Sequence, residues 1–256
     1  MKRKTNLILA LIAGSIVLFS ACKKSSKNPS GPAITPKQVS SQVAQTLVQM
    51  LYSGFGAFNL SEGLNAPNSL GLVHNQGKLK LNSNDNPLCG LIADTTLNYS
   101  TSAGGVQASV KGELKFSFTC TNGVFSGFNI TDNLAVSESS SDFTANVKLA
   151  EDLTLLSQNP LDDNSNILLT GSFSSDGTYT YKSGTAAQNF SFTLNSVIID
   201  ANGNIVSGSA TFATNGSGTT GSWNYSGSIK FLGNGKATIT ISGTTYNVDL
   251  QTGQVS

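Results

Sequence analysis

Charge is what this sequence has least of. Only 11 % of its 256 residues are Asp, Glu, Lys or Arg, against roughly 25 % in an average soluble domain. That scarcity excludes a coiled coil, a Lys/Glu-rich helical bundle and a charge-expanded disordered chain. Arginine occurs once, at Arg3, and histidine once, at His74. A single histidine cannot build a His-rich metal set, and no G-x-S-x-G elbow supplies it with a nucleophile. His74 is therefore read as a loop residue. What the chain has in quantity is Ser, Thr, Asn and Gly, which together make 112 of its residues. With 13 Phe and 6 Tyr available for a core, this composition suits an all-β protein with many turns.

The first 22 residues read as an export signal. Lys2-Arg3-Lys4 is a positive leader, Leu7 to Phe19 is an apolar run, and small residues precede Cys22. The run is shorter than the roughly 20 residues a membrane-spanning helix needs. The ending Phe19-Ser20-Ala21-Cys22 resembles the lipobox of bacterial lipoproteins, with Phe19 where an aliphatic residue is usual. The resemblance implies cleavage after residue 21 and acylation of Cys22, with palmitate-type chains as the membrane anchor. It also bears on address. Lys23 lacks the acidic character of inner-membrane retention, and the basic pair Lys23-Lys24 lacks the acidic cluster of surface export. Both imply the outer membrane at its periplasmic face, with surface exposure as the alternative. Without its leader the chain carries 12 Lys against 14 acidic residues and no Arg. Nucleic acid and phosphoryl ligands are poor partners for such a chain.

Residues 23–34 contain Pro, Ser and Lys without an apolar period and read as a tether. A single domain follows over 35–256. It opens with a helix over about 36–53. Thr35 is placed to cap it, Pro36 suits the first helical position, and Gln38 completes a capping box. Val39, Val43, Leu47, Met50 and Leu51 recur at helical spacing, and Gly54 and Gly56 would end it. With one lysine, Lys37, and no basic face, the helix is expected to pack on the sheet and not on a membrane.

From about residue 70 onward the apolar period is two. Even rows run from Val106 to Cys120 and from Phe128 to Val136, and an odd row runs from Phe143 to Leu155. Later rows are Phe190–Leu194, Val206–Phe212, Trp223–Phe231, Ala237–Ile241 and Tyr246–Leu250. Short polar turns between them leave no room for crossover helices. The expected fold is mainly β: the N-terminal helix, then an antiparallel meander of about ten or more strands, strongly curved or closed into a (half-)barrel. One helix beside such a sheet looks like the periplasmic half-barrels that carry lipoproteins. A transmembrane barrel is disfavoured, because its lipid-facing rows would carry Asp132 and Glu151.

Two pairs of residues carry what chemistry can be read. Cys89 and Cys120 are left over once Cys22 is acylated. They are the candidate disulfide of an oxidising compartment, with two buried thiols as the alternative. Asp132 and Glu151 fall in apolar rows on neighbouring strands. A tight turn at Ser139–Ser141 would offset them by two to four residues. The expectation is water-accessible carboxylates beside an apolar cavity; the rival reading is a glycosidase pair. Asp162–Asn166 and Asp200–Asn204 place oxygens at alternate positions but lack the glycine and the closing glutamate of a calcium loop. They read as turns. No cofactor and no metal is expected. The function expected is that of a non-enzymatic, lipid-anchored envelope protein binding an apolar or amphiphilic ligand, or a partner protein. The alternatives are a structural or adhesive lipoprotein without a pocket and, third, an envelope glycan-acting enzyme.

Overall fold

The computed structural model of the chain describes residues 34–52, 88–219 and 221–256. The export signal, Cys22, most of the tether, Gly54, Gly56 and His74 lie outside the described residues. The first described element is a helix, α1 (Pro36–Tyr52). Its capping box is formed: the Gln38 N–H donates to Thr35 Oγ1 at 3.3 Å, and the Thr35 N–H donates to Gln38 Oε1 at 2.8 Å. Each bond satisfies an amide that the helix ladder cannot reach. Val39, Val43, Leu47, Met50 and Leu51 are all fully buried.

Eleven strands follow. They are β1 (Ile92–Ala103), β2 (Val106–Thr121), β3 (Val124–Ser139), β4 (Phe143–Ser157), β5 (Ile167–Tyr181) and β6 (Gly184–Ile199). The remainder are β7 (Ile205–Gly218), β8 (Gly221–Gly233), β9 (Lys236–Ile241), β10 (Thr244–Asp249) and β11 (Gln254–Val255). They form one antiparallel sheet in strict sequence order, β1 to β11. Among the described residues the sheet does not close, and β1 and β11 are its two edges. The mainly-β meander is as the sequence implies; a closed barrel is not what forms.

The faces follow from alternation. One face, here the inner, carries the apolar rows, with Phe116, Ile130, Leu153 and Leu155 fully buried. Phe116, Phe118, Phe125 and Phe128 form a cluster with ring centroids 6.1–6.4 Å apart. Phe190, Phe192 and Phe212 form a second, with one edge-on contact at 4.4 Å. α1 lies on this face, packed against β9, β10 and β11. It also reaches β6 through Gln188–Gln42 at 3.4 Å, while Tyr225 of β8 donates to the Ile34 carbonyl at 2.8 Å.

Parity departs from the sequence pattern once. Ile205 is buried while Val206 is 45 % exposed. The β6–β7 ladder is irregular between Asn195 and Ile199, and Ser196 and Gly208 both sit at positive φ. An extra residue there turns Val206 outward. Gly112, at φ 146°, shows why a glycine stands in a strand: a Cβ would lie 2.0 Å from the Asn133 carbonyl oxygen.

Candidate functional site

Two places in the sheet hold chemistry, one on each face. On the inner face, Asp132 of β3 and Glu151 of β4 are directly opposite one another. The two- to four-residue offset expected from a tight turn does not occur. The ladder pairs Ser139 with Thr144, and the Ser140 N–H donates to the Phe143 carbonyl at 2.8 Å. The turn is tight but sits one residue later than the serine triplet suggests, at Ser141–Asp142, and that displacement slides the acids into register.

Both acids are buried, Asp132 at 2 % and Glu151 at 3 % exposure. The expectation of water-accessible carboxylates is corrected by this burial. Their row continues into Leu114 on one side and Phe173 on the other. The Glu151 N–H donates to Asp132 Oδ1 at 3.1 Å. Burial pushes the Asp132 carboxyl up to about 6, against the opposing effect of its hydrogen bonds to Glu151. A glycosidase pair must meet its sugar, and both carboxyls here are buried in an apolar row.

Further along the same face, Glu138 is buried, and its Oε2 has no hydrogen-bond partner among the described residues. Burial raises its pKa. Gln188 is flanked in the ladder by Gly177 and Gly216. The Tyr179 ring lies over the first glycine and the Trp223 ring over the second. The Gln188 amide donates to Gln42 and Thr214, at 3.4 Å each.

The outer face holds a groove that the sequence reading missed. It crosses β2 to β7 and encloses about 680 Å³, within the usual range for ligand sites. Its floor is a cross-strand row of small residues, Ala150, Ser174, Ser191 and Ala213, each paired with the next. The row beside it is polar: Lys148, Asp176, Asn189 and Asn215. Asn133 and Lys111 line the β2–β3 end. Asn189 Nδ2 donates to Asn215 Oδ1 at 3.2 Å. Neither lysine is in an ion pair among the described residues, whose two salt bridges are Lys182–Asp142 and Lys236–Asp249. Periodicity alone marks these positions only as outward. The pairing that gathers four strands' small residues into one row depends on every turn length between them.

Cys89 and Cys120 are joined by a disulfide, with Cα atoms 5.4 Å apart. Asp162 and Asp200 act as turn formers. Asp200 Oδ1 accepts the N–H groups of Asn202 and Asn204 at 2.9 and 2.8 Å, and Asp162 Oδ1 accepts that of Asn164 at 2.9 Å. No cluster of metal-ligating side chains occurs among the described residues. No helix among them is long and apolar enough to cross a membrane. Comparison of the chain with protein-family models, curated proteins and solved structures finds no match in any of the three.

Proposed function

We propose that this chain is a lipid-anchored cell-envelope protein that works by binding and not by catalysis. Cys22 carries the acyl chains at the outer membrane, and the outer face of the sheet is the recognition surface for a ligand or partner protein. The groove across β2 to β7 carries this reading. It is preformed on a rigid hydrogen-bonded ladder, which lowers the ordering cost of binding. The inner face is a weaker candidate for an apolar or amphiphilic guest, since its rows are already buried and α1 lies on part of it. The sealing of Asp132 and Glu151 supports a non-catalytic role, because an acid that cannot meet substrate cannot transfer a proton to it.

Metabolic labelling with an alkyne palmitate analogue tests the anchor. The wild type should be tagged and Cys22→Ser should not; equal tagging would refute the acylation site. Turnover of a glycoside panel by the purified protein, lost in both Asp132→Asn and Glu151→Gln, would overturn the non-catalytic reading.

A further inference from the structure

We infer that the outer-face groove binds an acidic oligosaccharide laid across the strands. This rests on the reading of the outer face as the recognition surface and adds the ligand's chemistry. The outward side chains of the floor row are alanine and serine, and the Leu134, Leu149 and Phe190 that also line the groove are buried, so an acyl chain or an aromatic ring finds few large side chains to pack against. The wall offers amide and lysine groups, which suit hydroxyl and carboxylate partners. The groove runs along the cross-strand rows and not along a strand. Consecutive side chains therefore recur at about 4.8 Å over the six strands, roughly 24 Å in all. An extended chain of sugar rings presents hydroxyl groups at a comparable repeat.

The lysines decide the charge. Lys111 and Lys148 are separated in their row by Ala135, so they stand two strands apart, about 10 Å along the groove. That backbone spacing lets the two side chains meet two carboxylates of one chain without converging. Neither ammonium is in an ion pair among the described residues, so both are available to a guest. Asp176, directly across the ladder from Lys148, accepts hydrogen bonds from hydroxyl groups and weakens binding of an anion on that side. The geometry thus orients the ligand, with two of its carboxylates at Lys111 and Lys148 and the remaining rings over Asn189 and Asn215.

The test uses the full chain in non-ionic detergent and isothermal titration calorimetry. The probes are tetragalacturonate, the neutral maltotetraose, and phosphatidylglycerol vesicles. Saturable binding of tetragalacturonate is expected, weakened about tenfold by Lys148→Gln or Lys111→Gln and abolished by Ala150→Trp, which fills the floor. Unchanged melting temperatures would show that the variants fold. Equal binding of maltotetraose with no effect of the lysine variants would overturn the acidic ligand while leaving the groove as a binding surface. Vesicle binding in place of sugar binding would overturn the glycan. Sugar binding indifferent to Ala150→Trp would overturn both the inference and the reading it rests on.

Discussion

At the scale of single residues, the acid pair is the most telling feature of the inner face. A carboxyl with a raised folded pKa stabilises the fold where it is protonated. The contribution of Asp132 is complete below its unfolded value near 4 and is lost as pH rises through about 6. Stability should therefore fall between pH 4 and 7, by an amount on the order of a few kcal/mol. Asp132→Asn keeps a hydrogen-bond donor for Glu151 without a second charge. Urea titrations across that range should show a flatter profile for the variant and about 1–3 kcal/mol more stability at pH 7. A variant profile as steep as that of the wild type would mean that the fall does not come from Asp132. Parity gives a second prediction at this scale. Phe118 is buried within the β2–β3 aromatic cluster, whereas Ser117 faces outward opposite Asn129. Phe118→Ala should cost about 3–5 kcal/mol and Ser117→Ala less than about 0.5 kcal/mol, read from denaturant midpoints.

At the scale of elements, the long strands hold together through positions that only glycine can occupy. Gly112→Ala would place a methyl on the Asn133 carbonyl at positive φ. It should cost well over 1 kcal/mol and push β2 away from β3, visible as faster amide exchange around Lys111 and Asn133. The helix shows how much of an element can be legible beforehand. Thr35, Pro36 and Gln38 mark its start, and five apolar residues mark its buried face, because capping and periodicity are both local. The strands from Val106 to Leu155 are legible for the same reason. Two others are not: β5 carries Gly171, Ser175 and Gly177 on its inner face, and β1 alternates threonine and alanine with its apolar residues. Their inward rows are too polar to stand out. The acid pair is half legible. Its place in the apolar rows is visible, but its register is not, since displacing one tight turn by a single residue moves Glu151 from an offset position to directly opposite Asp132.

At the scale of the whole molecule, the disulfide and the helix tie down opposite ends of the sheet. Cys89–Cys120 spans 31 residues just ahead of β1 and at the end of β2. Replacing both cysteines with serine should cost about 3–4 kcal/mol in the chain-entropy view. β1, an edge strand with no buried residue, should loosen first, and hydrogen exchange under reducing conditions would read that order. Loss spread evenly over all strands would instead mark the sheet as one cooperative block.

The strand order has a consequence in time. Every pairing in the ladder joins strands adjacent in sequence, so each hairpin forms by closing a short loop, and the sheet can zip up strand by strand from either end. α1 is different. It is the first described element of the chain, yet it rests on β9, β10 and β11, the last three. Its apolar stripe waits with no seat until the C-terminal strands are made, and a chain cut before Lys236 would leave Val39, Val43 and Leu47 facing water.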